Sequence, residues 1–213
     1  GVTDVRLYHK LGTDVGYGKT SGMFSEGVLK QFPNLVKEDE KRLNNISIRE
    51  TFLTRIFVLA HLRESLEFKE LEKLNQFHSK NMLLFLCHDE ELTVKLGLIL
   101  KSNDDFELIA DNYKNIVNSI LSSVPKKSSI INTFNYIFIP ISSKLSSSEK
   151  SYYFSLIDGF DNDLISQSEI STLLYSWTLR YNLKSIVDQS LFNPFPKTLL
   201  LDLIESKKEY SIL

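Results

Sequence analysis

Cysteine is almost absent from this chain: Cys87 is the only one in 213 residues. An internal disulfide is therefore excluded, as is any all-cysteine metal or cluster site built from this chain alone. Glycine and proline are scarce as well, at eight and five. Gly12, Gly16, Gly18 and Gly22 hold half of the glycines in one short stretch, which reads as a loop. Neither sign of charge dominates: the formal charge is −2, so no global basic field draws nucleic acid. No apolar run reaches the roughly 18 residues that a bilayer span requires. The opening Gly1-Val2-Thr3-Asp4 does not read as a signal peptide. The expectation is a reduced, cytoplasmic protein without a membrane partner. The missing initiator Met reads as a fragment or a trimmed piece of a longer protein.

What is present is a folding composition, 42% hydrophobic with 24% charged. The length allows one large domain, or a small domain with the remnant of another. Val2-Thr3-Asp4-Val5-Arg6-Leu7-Tyr8 alternates well enough for one short strand. Ser21 can cap a short helix through Phe24, Val28, Leu29 and Phe32, stopped at Pro33. Ser47-Ile48-Arg49-Glu50 has the form of a capping box, opening an amphipathic helix through Phe52, Ile56 and Leu59.

Beyond Glu64 the pattern is helical throughout. Leu71, Leu74, Phe77, Leu84 and Phe85 stripe one long helix, and Asp89 can cap the next. Asp104 or Asp105 opens another, with Ile109, Tyr113 and Ile120 on one face and Pro125 at its end. Ile130, Phe134, Ile137 and Phe138 form a further piece, expected to end at Pro140. Ser146-Ser147-Ser148-Glu149 is a second capping box, and Ile170, Leu174 and Trp177 mark a later helix. Asn193-Pro194-Phe195-Pro196 and a short closing helix follow. No internal repeat is visible, so the expected fold is mainly α: a bundle of roughly six or seven helices after a short α/β remnant.

Few residues carry chemistry. Gly16-Tyr17-Gly18-Lys19-Thr20 sits where a phosphate-binding loop would lie. That motif, however, needs a glycine at the position of Thr13, and Gly12 is one residue too early. His9, His61, His78 and His88 are too scattered for a zinc site, and Cys87 and His88 point about 100° apart on a helix. Cys87 reads as a small buried hydrophobe. No apolar pocket is evident that would raise a carboxylate's pKa for acid catalysis. His78 and Lys80 stand out, because both can sit beside an apolar face with polar tips directed at an anion.

On these residues the chain resembles the C-terminal part of a two-domain bacterial desulfidase. Residues 1–60 resemble the tail of a TudS-type thiouracil desulfidase domain. The shared features are Gly22-Met23-Phe24, Pro33, Glu38-Asp39-Glu40, Arg42-Leu43-Asn44, and Arg49-Glu50 with Phe52, Arg55 and Phe57. Residues 65–205 resemble the YbgA-type helical domain that often follows it. Here the shared features are Phe77-His78-Ser79, Leu83-Leu84 through His88, Thr172-Leu173-Leu174, Gln189 and Asn193-Pro194-Phe195-Pro196.

The resemblance implies removal of sulfur from thiolated uracil, free or as 4-thiouridine in tRNA. It also implies a [4Fe-4S] cluster held by three cysteines, with the helical domain engaging RNA or substrate. An iron with an open position is a Lewis acid able to take the thio sulfur. Gly1 would directly follow the last cluster cysteine, so the cluster is expected only if upstream cysteines are present. An upstream cluster-binding domain of the same protein is thereby an expected partner.

The helical part also departs from the family pattern. Met82 replaces a lysine, Ser128, Ile130, Tyr136 and Ile139 replace Lys, His, His and Gly, and Asn132 remains. From residue 65 onward, 15 Lys and Arg face 19 Asp and Glu, a poor balance for phosphate binding. The expected contact residues are His78, Lys80, His88 and Asn132. Arg42, Asn44, Arg49 and Arg55 are expected to anchor the two domains to each other. This chain alone is expected to catalyse nothing. The alternative is a non-enzymatic helical interaction or scaffold module that has lost its RNA contacts.

Overall fold

The computed structural model describes residues 42–196 continuously, with Gly27, Val28, Lys30, Gln31, Val36, Glu38, Thr198 and Leu199. The strand expected at residues 2–8, the glycine loop and the closing helix lie outside the described residues, as does most of the helix expected from Ser21. By its contacts the chain divides into two units, Gly1–Phe57 and Val58–Leu213.

In the first unit a 3-10 turn, Arg42–Asn44, leads into helix α1, Ile46–Glu67, whose last part belongs to the second unit. The cap of α1 is Asn45, not Ser47: the Asn45 Oδ1 accepts the Ile48 amide at 3.2 Å. Asn caps as well as Ser does. Asn45 is also already held by the turn, its amide donating to the Arg42 carbonyl at 2.9 Å. Ser47 is an interior residue whose carbonyl accepts the Thr51 hydroxyl.

The second unit is a helical bundle. After α1 come α2 (Leu71–His88), α3 (Glu90–Ile99), α4 (Phe106–Ser122) and α5 (Lys127–Ser142). They are followed by α6 (Ser147–Asp161), α7 (Gln167–Arg180) and the short α8 (Lys184–Val187). Among the described residues there is no strand, and no helix is long and apolar enough to cross a membrane.

Side chains close-pack in two apolar clusters, and burying each large apolar side chain stabilises by about 1.5–3 kcal/mol. Val58, Leu62, Leu74, Phe77, Phe85, Leu96, Ile109, Tyr113 and Ile120 build the first, from α1 to α4. Leu83, Cys87, Phe134, Ile137, Tyr153, Ile170, Leu174 and Trp177 build the second, from α2, α5, α6 and α7. Helix α2 thus serves both cores. In the second, the Phe138 ring stacks on Tyr153 with centroids 4.0 Å apart and planes 4° from parallel. The buried Tyr153 hydroxyl donates to Asn135 Oδ1 at 2.9 Å.

Helix ends follow local chemistry. Asp89 and Asp105 accept the Leu92 and Leu108 amides, each at 2.9 Å. Ser146 with Glu149 forms the expected capping box, and Ser166 with Glu169 forms another that periodicity alone did not flag. Helix α5 does not stop at Pro140 but runs two residues past it, to Ser142. Proline in the last turn removes one amide from the ladder, and the remaining residues still wind without it. Both glycines of the second unit, Gly97 and Gly159, lie inside helices. The left-handed residues after α1, α6 and α7 are instead Lys69, Asp163 and Asn182, with φ of 53°, 59° and 53°. Each carries the steric cost that glycine avoids there.

Truncating Phe134 to Ala should cost about 3–5 kcal/mol through lost burial and a cavity. Asp105→Ala, which removes only a cap, should cost about 1 kcal/mol. Urea midpoints of the two variants, compared at equal m-value, check this ranking.

Candidate functional site

An open groove of about 980 Å³ runs beside α2. Its α2 wall includes Glu72, Asn75, Gln76, His78, Ser79 and Lys80. The facing wall comes from Tyr136, Ile139 and Pro140 of α5. Leu183, Ser185, Ile186, Asp188 and Gln189, in and around α8, close the third side. Tyr136 and Ile139 are 52% and 67% exposed, large apolar side chains turned outward in the positions of the expected His and Gly.

The α2 wall is tied to the segment after α8. The Leu83 amide and the Ser79 carbonyl are ladder partners, four residues apart in the helix. The Gln189 carboxamide bridges these two groups: Oε1 accepts the Leu83 amide at 3.1 Å, and Nε2 donates to the Ser79 carbonyl at 2.6 Å. The same Nε2 also reaches the Ser185 carbonyl at 3.2 Å. Next along, the Ser190 amide donates to the Lys80 carbonyl at 2.9 Å, and its hydroxyl donates to Asn81 Oδ1 at 2.6 Å. Asn81 Nδ2 in turn donates to the Phe77 carbonyl at 2.8 Å. Asn81, Gln189 and Ser190 are all buried. Each is hydrogen-bonded, as a buried polar group must be to avoid a desolvation penalty.

His78 is the middle residue of the Phe77-His78-Ser79 run and is half-buried. Its Nδ1 is 3.0 Å from the hydroxyl of Tyr113, which α4 presents from within the first core. Burial lowers the His78 pKa below its ordinary 6.5 and raises that of the Tyr113 phenol. Lys80 is exposed at the groove edge. The charged groups lining the groove among the described residues are Glu72, Lys80 and Asp188, one cation against two carboxylates.

The residues singled out in the sequence are thus only partly gathered. His78 and Lys80 share the groove, whereas His88 and Asn132 do not line it. His88 sits at the end of α2, its Nδ1 3.1 Å from the Ser123 carbonyl beyond α4. Asn132 is on an exposed face of α5.

The four residues of the first unit have a separate setting. Arg42 pairs with Glu38 at 2.8 Å, and the buried Arg49 donates through Nε to the Leu43 carbonyl at 2.8 Å. Asn44 is exposed in the 3-10 turn. Burial lowers the pKa of the Arg55 guanidinium, against the opposing pull of Glu38.

Sequence reasoning passed over Tyr113 as a core residue and Gln189 as a family match only. A lone Gln near a Pro-rich end carries no periodic signal. Its partners lie 106 and 110 residues away in the chain.

Nucleophilic chemistry is not gathered here. Cys87 is buried, and desolvation pushes its thiol up to about 11 against a hydrogen bond from Thr133, so it stays protonated at neutral pH. Among the described residues no group of three His, Cys, Asp or Glu comes together as a metal site.

Residues 82–196 match the family described as a protein of unknown function, DUF1722. The chain belongs to this family. No curated protein and no solved structure matches the chain. The DUF1722 region begins midway along α2 and ends at Pro196. It therefore includes Gln189, Ser190 and the α5 wall of the groove, while His78 and Lys80 lie just ahead of it.

Gln189→Leu should cost about 1–3 kcal/mol, because an apolar side chain cannot bridge a donor and an acceptor in a buried site. Denaturant titration checks this, and faster amide exchange at Leu83 should accompany the loss. A second expectation concerns pH. A histidine whose pKa falls on folding binds protons more readily in the unfolded chain. Its contribution is complete above the ordinary 6.5 and is lost as pH falls through the lower folded value. Unfolding midpoints should therefore drop on acidification from 6.5 towards that lower value, and His78→Gln should flatten this part of the curve.

Proposed function

We propose that this chain is a non-catalytic, substrate-engaging module whose working surface is the groove between α2, α5 and α8. The carrying observation is that His78 and Lys80 meet exposed Tyr136 and Ile139 in one groove, while among the described residues no group of three His, Cys, Asp or Glu comes together. Ligand sites commonly combine apolar and aromatic walls with a few polar groups that fix orientation. The likeness of residues 65–205 to the YbgA-type domain and of residues 1–60 to the TudS-type tail supplies the chemistry. In this reading the module belongs with an upstream cluster-binding desulfidase domain and engages thiolated uracil, as the free base or as 4-thiouridine in tRNA. Arg42, Asn44, Arg49 and Arg55 would anchor the cluster domain. The chain's one cysteine is buried among α2 and α5 side chains. A single buried thiol does not fit a [4Fe-4S] cluster.

A specific observation favours a second reading. One lysine against two carboxylates at the groove is a weak footing for phosphate. This suits a helical interaction module that has lost RNA contacts.

The two readings separate in a binding assay of the chain with 4-thiouracil and with 4-thiouridine-containing tRNA, at about 50 and about 200 mM salt. The proposed function expects the free base to bind with little salt dependence, and Ile139→Asp to weaken it about tenfold. If neither ligand binds at either salt, the substrate-engaging reading fails and the interaction-module reading stands.

A further inference from the structure

We propose that Tyr113 locks His78 as the neutral Nε2–H tautomer. The α2 wall then offers a hydrogen-bond donor to a neutral carbonyl-type acceptor, not a positive charge to an anion. The inference deepens the reading of the groove as the engaging surface and rests on it.

The argument begins at the phenol. Tyr113 is completely buried, and among the described residues its hydroxyl has one hydrogen-bond partner, His78 Nδ1 at 3.0 Å. A buried O–H without an acceptor loses its solvation with nothing in return. Were Nδ1 protonated, two hydrogens would meet along that contact, or the phenol hydrogen would turn away into the apolar core of Phe77, Phe85 and Val117. Nδ1 therefore accepts. In a neutral imidazole the remaining hydrogen is then on Nε2.

That nitrogen is the ring's outward donor. His78 lines the groove, and among the described residues its Nε2 has no hydrogen-bond partner. It is accordingly open to a ligand.

Charging the ring would place a hydrogen on Nδ1 and strip the phenol of its acceptor, so the lock works against the imidazolium. Burial of the ring acts in the same direction. The surrounding charges do not make an anion site either. Glu72 and Lys80 of α2 and Asp188 beyond α8 leave the lining one unit negative. Tyr136, exposed on α5, adds an aromatic face. A neutral planar heterocycle with a ring carbonyl meets all of these conditions, and a carboxylate or phosphate does not.

Long-range proton–nitrogen NMR of the imidazoles in the full chain tests the lock without any mutation. At neutral pH His78 should show the Nε2–H pattern. Tyr113→Phe should convert it to a tautomer mixture, a change that simple loss of packing would not produce selectively at this ring. Uracil and orotate, which is the same ring with an added carboxylate, then serve as probes. Uracil should perturb the His78 Nε2 resonance, bind at least about tenfold more tightly than orotate, and lose about fivefold on His78→Ala.

An Nδ1–H or charged His78 at neutral pH overturns the lock. An Nε2–H ring with orotate or inorganic phosphate preferred overturns the acceptor class, while the groove remains an engaging surface. An Nε2–H ring indifferent to uracil overturns the site. If 4-thiouracil also fails to bind in the preceding assay, the substrate-engaging reading falls with it; if 4-thiouracil binds, only the role of His78 falls.

Discussion

The second unit turns on one side chain, Gln189. Its carboxamide reaches both the Ser79 carbonyl and the Leu83 amide, two ladder partners in the middle of α2. Helix α2 is the shared wall of both apolar cores, so whatever sets the conformation of its middle turns is felt in both. The tie also closes a long loop, since the partners lie more than a hundred residues apart in sequence. Loop closure costs entropy that only a well-satisfied contact repays. Here the repayment comes from several buried hydrogen bonds at once, with Ser190 and Asn81 completing the set. Leu191 follows immediately and packs against both cores, so the polar tie and the apolar join coincide.

Much of the bundle was legible because helix periodicity and caps are local. Leu74, Phe77, Leu84 and Phe85 are buried as their spacing implies, and so are Ile109, Tyr113 and Ile120. Asp89, Asp105 and the Ser146 box begin helices as their chemistry implies. The errors have physical reasons of the same local kind. Asn45 and Ser47 are equally good caps, and only the preceding 3-10 turn decides between them. Pro140 looked like a stop, yet a proline near a helix end removes a single amide and the chain winds on.

The groove was far less legible, because its parts come from α2, α5 and α8 and no local pattern links them. His78 and Lys80 stood out as polar tips beside an apolar face, and both do line it. The other two contact candidates, His88 and Asn132, came from the family resemblance alone and do not line it. A side chain's identity tells what it can bind. Its neighbours decide whether it is offered. The phenol of Tyr113 sets His78 apart, because it engages the ring through Nδ1 at 3.0 Å. No spacing rule would have paired residues 78 and 113 across two helices.

A buried polar network is a costly way to join helices, since well-packed apolar side chains of similar volume often do as well or better for stability. What such a network supplies that an apolar contact does not is direction: each donor has one acceptor, and a slip of either partner breaks several bonds together. The Gln189 network adjoins the groove wall that carries Ser79, Lys80 and Leu83, and Gln189 itself lines the groove. His78, next in line, is fixed by a directional bond of the same kind to Tyr113. Polar groups are thus used where the geometry of the groove has to be held, and apolar packing is used in both cores behind it. That division of labour is in keeping with the proposed ligand-engaging surface, whose side chains must be held in fixed directions.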